Sequence, residues 1–445
     1  MGIRFISTSI VSRGLSRIGA AIGRGTNLPG EVALRMYPEV LSETSFPGKV
    51  IAVTGSNGKT TTSNMIAHVL RKAGYSVLNN ARGSNMKPGI ATTVLDAVGY
   101  DGTVDFDYVV LEVDECMARF VFDDIKPDYF LVLNLLRDQV TRNGHPDVVF
   151  DKLQAAVDKV PAATLVLNAN DPISQRLCNA KEPIYFGMER IATSTSTSES
   201  GTQDMKVCPV CFHTLSYEYY HYNQLGEFRC PCCGFATPAT QYSGSEADLS
   251  NGSLLINGTR VATGFDTPYN LFNAVGAAAV CCGSGAVAPE RFAADVADFD
   301  VEKSRVDSFD FEGRKAMVLM TKLNAASLDQ SISYAIEQPD KEKVAVLYVN
   351  NALYTDLKDI SWLYDVAFGR LCGTISKVVC LGSRALDAAA CLKVAGYPVQ
   401  DIIYAIDVSR VKELLRQTVG SIYVFAASAF GDEGRILEEL RDGKN

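Results

Sequence analysis

No apolar run in this 445-residue chain reaches the roughly 18 to 20 residues that a membrane-spanning helix requires, so a soluble or membrane-peripheral protein is expected. Positive charge is also in short supply. With 42 Lys and Arg against 51 Asp and Glu, the formal net charge of −9 argues against a nucleic-acid binder working through a broad basic surface. The leader, Met1 to Thr26, lacks the uninterrupted apolar stretch and small-residue cleavage site of a secretory signal. It holds no acidic residue either, while Arg4, Arg13, Arg17 and Arg24 stand among Ile, Leu, Val and Phe. Such a segment reads as an amphipathic helix lying on an anionic membrane, or as a helix packed on the body of the protein. Eight of the twelve cysteines, Cys116, Cys178, Cys232, Cys281, Cys282, Cys372, Cys380 and Cys391, have no local histidine partner, which argues against a catalytic thiol. Most sit in apolar runs as small hydrophobes, and the chain reads as cytoplasmic rather than as a disulfide scaffold.

The length suffices for two or three domains with real cores. Lys49-Val-Ile-Ala-Val-Thr54 followed by Gly55-Ser-Asn-Gly-Lys-Thr-Thr-Thr62 reads as a buried strand, a phosphate-gripping loop and the start of a helix running to about Lys72. Gly55, Ser56, Asn57 and Gly58 let backbone N–H groups turn toward a polyphosphate. Lys59 neutralises its outer phosphates, Thr60 offers a hydroxyl to the accompanying magnesium, and Thr61 opens the helix whose dipole favours the same anion. The usual loop has a glycine five residues before Gly58; here Val53 stands there, so the loop is a shortened variant.

Apolar runs at 49–54, 76–79, 108–113, 129–134, 164–168 and 184–186 alternate with helical stretches, the pattern of a parallel sheet covered on both faces. Polar groups at the carboxyl ends of such strands converge on one cleft. Besides the loop these are Glu112-Val-Asp-Glu115 and Asn134-Leu-Leu-Arg-Asp-Gln139. The run Thr193 to Thr202, rich in Ser and Thr, reads as a mobile loop introducing an insertion. Within the insertion, Cys208-Pro-Val-Cys211 and Cys230-Pro-Cys-Cys233 stand with eighteen residues between them. Two such knuckles make a closed four-sulfur site, so Cys208, Cys211, Cys230 and Cys233 are expected to hold a structural zinc ion that folds a small β-ribbon. Cys232 is a spare thiol, and His213 and His221 are alternative ligands.

Residues 252–261 read as a hairpin turning at Asn257-Gly258, and 269–282 as an Ala-rich helix with Asn270 and Asn273 on one face. After a break near 299–310, runs at 316–320, 344–349, 377–381 and 422–426 suggest a second α/β unit without a phosphate loop. It contains Tyr354 to Asp365, with the single tryptophan, Trp362. Asp359 reads there as the N-cap of a helix over 361–368.

The shortened loop, Glu112 to Glu115, Asn168-Ala-Asn-Asp-Pro172, and Asn270 with Asn273 together resemble the Mur ligases, ATP-dependent enzymes that join amino acids to cell-wall precursors. The four-cysteine ribbon, the Asp356-Leu-Lys-Asp359-Ile-Ser-Trp362 segment and Arg24 to Gly30 make the chain similar to one branch of them, the ligase-like subunits of lipid II isoglutaminyl synthases. The likeness implies an α/β fold with a leader over 1–45, an ATP-binding central domain over 46–300 carrying the zinc ribbon at 203–240, and a Rossmann-like C-terminal domain over 301–445. It further implies ATP-dependent amidation of the D-glutamate α-carboxylate of lipid II through an acyl phosphate. Thr60 and Glu112 would position magnesium, while Asn168 and Asp171 line the nucleotide pocket with Asn270 and Asn273. Ammonia would come from a partner glutaminase of the GatD type, whose Cys-His pair Asp359, or failing it Asp356, completes. The chain departs from the family pattern at Leu357 and at Thr321 to Asn324. An amino-acid-adding ligase that works alone shares the loop but leaves the ribbon unexplained, and a zinc-ribbon nucleic-acid-binding ATPase conflicts with the charge.

Overall fold

The computed structural model describes residues 1–21, 27–81, 84–138, 140–265, 267–299, 306–350, 359–428 and 433–441. Arg24, Gln139 and Asp356 therefore lie outside the described residues. Strands β1 (Lys49–Thr54), β2 (Val77–Asn79), β3 (Tyr108–Glu112), β4 (Tyr129–Val132), β5 (Thr164–Asn168) and β6 (Ile184–Met188) form a parallel sheet, in the order β2, β3, β1, β4, β5, β6. These central strands are near-continuous apolar runs because helices cover both faces. Met65, Ile66 and Val69 of helix Lys59–Lys72, with Leu271, Phe272 and Val275 of helix Pro268–Gly283, bury one face. Ile90, Val94 and Leu95 of helix Lys87–Ala97, with Leu153 of helix Pro146–Val157, bury the other.

The chain then leaves the sheet for an antiparallel ribbon, β7 (Ser216–Tyr222) and β8 (Leu225–Arg229), and returns through β9 (Tyr242–Asp248), β10 (Ser253–Ile256) and β11 (Thr259–Ala262). β9 joins β6 in parallel, and the β10–β11 hairpin closes the edge, turning at Asn257 and Gly258, both at positive φ, as a two-residue hairpin loop requires. The second sheet holds β12 (Val306–Phe311), β13 (Arg314–Thr321), β14 (Lys343–Asn350), β15 (Lys377–Leu381), β16 (Ile402–Ala405) and β17 (Ser421–Ser428), in the order β12, β13, β17, β14, β15, β16. Only the β12 pairing is antiparallel. The fold is thus the expected α/β architecture built on two mainly parallel sheets.

Three expectations meet a specific outcome. The leader is a helix, Ile3–Ala21, packed on the protein: Phe5, Thr8, Ser9 and Ser12 are buried, and Arg13 Nε donates to Leu95 O at 2.8 Å. The Ser/Thr-rich run is not a loose loop. Thr195 and Tyr220 exchange backbone hydrogen bonds, Glu199 pairs with Arg370, and a Cβ on Gly201 would stand 2.3 Å from Asp365 O. The helix expected over 361–368 is replaced by two 3-10 turns, Ser361–Asp365 and Phe368–Leu371. Val366 between them is extended, which delivers the Ala367 N–H to the buried Asp329 carboxylate at 2.8 Å, and that bond takes the chain out of helical register.

Candidate functional site

β1 ends at the carboxyl edge of the first sheet between β3 and β4, where the strand order reverses and where sheets of this kind open a ligand crevice. The loop after it turns through Gly55 and Gly58, both at positive φ, and Gly58 leads directly into helix Lys59–Lys72. A Cβ on Gly58 would stand 2.1 Å from Asn273 Oδ1, so glycine lets the helix carrying Asn273 press against the loop. Asn273 Nδ2 donates to Asn270 Oδ1 at 3.1 Å, and Asn270 Nδ2 to Thr267 Oγ1 at 3.1 Å, a polar ladder along one face of that helix. Thr61, half-buried, stands in the first turn of the helix that follows the loop.

Lys59 is buried, with Nζ donating to Gly55 O at 2.5 Å and to Glu115 Oε1 at 2.9 Å. Burial pulls the ammonium toward its neutral form, but Glu115 and Glu112 together outweigh it and hold the pKa above its ordinary value. Thr60 Oγ1 donates to Glu112 Oε2 at 2.7 Å, and Asn85 Nδ2 holds the other Glu112 oxygen at 2.8 Å. A hydroxyl and a carboxylate oriented this way at the mouth of the loop are hard oxygen donors of the kind magnesium takes, so these residues fit that ion.

The segment after β4 braces the loop from behind. Ser56 N donates to Asn134 O at 2.9 Å, Asn57 N to Asn134 Oδ1 at 3.0 Å, and Ser56 Oγ to Leu136 O at 2.8 Å. Asn168 and Asp171 belong to this bracing and do not line a pocket: both are fully buried. Asn168 Nδ2 donates to Leu133 O at 2.8 Å, and the Asp171 carboxylate accepts from the N–H groups of Leu135, Ile173 and Ser174. Their side chains are occupied by orphan backbone groups, which is the physical reason they hold the site's shape without presenting a face to a ligand.

Sequence reasoning did not assign Lys322 to the site. It follows β13 in the second sheet and reaches across to donate from Nζ to Ser56 O at 2.7 Å, while Asn324 Nδ2 meets Asp138 Oδ1 at 3.2 Å. The phosphate-type loop is therefore touched from both sheets. One turn before Asn270, a cleft opens between Thr267, the ribbon residues Tyr220 and Asn223, and Asp329 and Arg370 of the second unit. Burial raises the Asp329 carboxyl to about 7, against the lowering pull of the Ala367 N–H and Arg370.

The four knuckle thiols have their sulfurs within 4.8 Å of one another, with Cys208 to Cys233 and Cys211 to Cys230 at 3.4 Å. That spacing fits sulfurs about 2.3 Å from a central zinc ion. The knuckles are alike: Cys208 N donates to His213 O and Cys230 N to Phe235 O, with Phe212 and Gly234 at positive φ in the two turns. Cys232 and His213 form a second grouping with Cys211, whereas His221 is turned away, held by Met188 O and Ser194 Oγ, and burial lowers its pKa to about 4. Asp359, half-buried, accepts from Ser361 N at 2.9 Å, a local turn rather than the cap of a continuing helix.

Residues 53–230 match the family model described as Mur ligase middle domain, and residues 322–429 the one described as MurT ligase C-terminal. The chain is 31% identical over 388 residues to the lipid II isoglutaminyl synthase (glutamine-hydrolyzing) subunit MurT of Staphylococcus aureus, covering 86% of each chain. It is 30% identical to the Streptococcus pneumoniae protein of the same name, covering 91% of this chain and 90% of that one. In three dimensions it resembles a pseudomurein peptide ligase type C from Methanothermus fervidus, with a TM-score of 0.71 at 17% identity over 91% of this chain and 81% of that one. MurF from Acinetobacter baumannii gives a TM-score of 0.66 at 16% identity, over 92% and 80%. These structural likenesses speak to the fold.

Proposed function

This chain belongs to the MurT family of Mur-ligase-like proteins, and from that premise we propose that it is the ATP-dependent ligase subunit of a lipid II isoglutaminyl synthase. The observation that carries the reading is the buried Lys59 at the carboxyl end of β1, clasped by Gly55 O and Glu115 beneath a glycine turn. A nucleoside triphosphate lies along Gly55 to Thr60, where loop N–H groups and Lys59 offset the charge of its phosphates, and its nucleoside end extends along Asn270 and Asn273. Thr60 and Glu112 hold magnesium, which when bound spreads the phosphate charge. The D-glutamate α-carboxylate of the lipid II stem peptide attacks the terminal phosphorus, ADP departs, and an acyl phosphate results. Ammonia then adds to the acyl carbon, and inorganic phosphate leaves as D-isoglutamine forms with loss of a proton. Lys59 offsets the negative charge on the phosphate oxygens during the first step, and Lys322, arriving from the other sheet, positions the loop.

Ammonia reaches this site from a separate GatD-type glutaminase subunit, and Asp359 orients that partner's histidine across the interface, as a triad acid does. Asp356 is the second choice for that role. Cys208, Cys211, Cys230 and Cys233 hold a structural zinc ion. The working division is 1–45 as leader, 46–300 as nucleotide-binding domain with the ribbon at 203–240, and 301–445 as partner-contacting domain, all acting in the cytoplasm. The test is to incubate the chain with ATP and lipid II, supplying either ammonium or glutamine with the partner. Amide formed from ammonium by the chain alone, and from glutamine only with the partner, supports the reading. Attachment of a free amino acid instead, or no ATP consumption in either arm, overturns it.

A further inference from the structure

We propose that the outward face of helix Ile3–Ala21 docks the protein on a bilayer surface carrying anionic headgroups. Beside Phe5, the inner side of the helix buries hydroxyls while several of its aliphatic residues face out. Thr8, Ser9 and Ser12 are buried on its inner side, whereas Ile3, Ile10, Val11 and Ile18 point outward with 84%, 53%, 37% and 63% of their surfaces exposed. At about 100° per residue these four fall within an arc of about 100°, with Arg17 on one margin and Arg4 on the other. Both arginines are exposed, and the residues between the isoleucines on this arc, Ser7 and Gly14, are too small to hold an apolar surface away from them. An ordinary surface helix turns its β-branched residues inward and its hydroxyls out. Contacts within this fold account for the inner side of the helix and leave the outer side unexplained.

The chemistry of that face selects its occupant. A strip one helix wide is narrow for a stable protein partner, which typically covers about 800 Å² on each side. The helix has no acidic residue; of the acids beside it, Asp96 accepts from Ser16 on the inward flank and also faces Arg13 and Arg17, Asp101 faces the N-terminus, and Glu31 and Glu43 are engaged with Arg35 and Tyr37. An apolar stripe with a cationic edge on each side, on a chain of net charge −9, complements a surface that is negative outside and apolar a few ångströms below. None of the Gly55 to Thr60 machinery takes part, so the inference stands apart from the amidation reading.

The test uses the full chain with vesicles of phosphatidylcholine alone or mixed with phosphatidylglycerol, followed by sedimentation, with no nucleotide or peptidoglycan precursor present. The chain is expected to partition onto the mixed vesicles and to release as salt rises. Ile3→Ser, Ile10→Ser and Ile18→Ser together should weaken partitioning at least about tenfold while leaving Tm unchanged. Arg4→Gln with Arg17→Gln removes no apolar contact, so it keeps the test decisive if the serines disturb the helix; it should erase the preference for phosphatidylglycerol. Failure of the parent chain to bind mixed vesicles, or unaltered binding by both variants, overturns the proposal. So does a dimer in light scattering that the triple variant abolishes, which would assign the face to a second copy.

Discussion

An ammonium with almost no access to water is tolerated at Lys59 because Glu115 and Glu112 stand against it, and the same arrangement makes its loss costly. On the proposed reading, in which Lys59 meets the transferring phosphate, Lys59→Ala should lower ATP-dependent amidation at least about 100-fold. It should also destabilise the protein by about 3–5 kcal/mol, because Glu115 is left buried without its cation. Adding Glu115→Gln to Lys59→Ala should recover most of the lost Tm and none of the turnover, which separates the two roles in one calorimetry and activity series. Asp329 behaves in the opposite sense. Its folded pKa, raised to about 7 by burial, lies above the ordinary aspartate value of 3.8, so the folded chain holds this proton more tightly than the unfolded chain does. Stability present at acid pH is therefore lost as pH rises from the ordinary carboxylate range to about 7, by a few kcal/mol at most. Melting curves across that window should show the decline for the parent chain and a flatter profile for Asp329→Asn.

The two cysteine knuckles are a small element whose stability is not its own. Cys208, Cys230, Leu215 and Phe228 share a hydrophobic core with Val132 and Leu167 of the first sheet and Leu135 just past β4, so the sulfur end of the ribbon is also anchored by packing. Replacing Cys208 and Cys211 by Ser should release zinc, measured by elemental analysis, and lower Tm by several degrees; unchanged metal content would refute the site. The knuckles, the loop at Gly55 to Thr60 and the central strands were legible in the sequence because each is written in consecutive residues: a C-P-x-C spacing, a glycine-lysine turn, an apolar run. β9, Tyr242–Asp248, escaped notice because an edge-side strand that pairs by its backbone needs no apolar alternation, and Tyr-Ser-Gly-Ser-Glu-Ala-Asp has little. Asn168 and Asp171 are expected in the nucleotide pocket from the family likeness alone, and their full burial with bonds to Leu133 and Leu135 is a three-dimensional fact that their own stretch of sequence does not write. The 3-10 turns at 361–371 depended on Asp329, more than thirty residues away, which no local pattern encodes.

At the scale of the whole molecule, the contacts between the two units among the described residues are largely polar and charged, with Ala326 of the second unit reaching the apolar core of the first. Arg137, just past the brace behind the phosphate-type loop, reaches Asp204 of the insertion at 2.8 Å and Asp365 of the second unit at 2.9 Å. Glu199 of the insertion meets Arg370, and Lys322 meets Ser56. A seam of polar contacts of this kind is separable, which suits a ligase that must admit a nucleotide and then close around it. Lys322 is the informative contact, because it reaches the loop's carbonyl from the other unit. If the closed arrangement is the one that turns over, Lys322→Ala should lower kcat at least about tenfold while the Kd for a non-hydrolysable ATP analogue shifts less than about threefold. Lys322→Arg, which keeps the charge and much of the reach, should recover part of the rate. A variant whose nucleotide affinity collapses in step with kcat would instead make Lys322 a binding residue of the first sheet's pocket, and unchanged kcat would make the seam irrelevant to turnover. Tm, which rests on the four apolar cores, is expected to stay within about 2 °C in both variants, because a half-exposed contact between units contributes only about 1 kcal/mol or less.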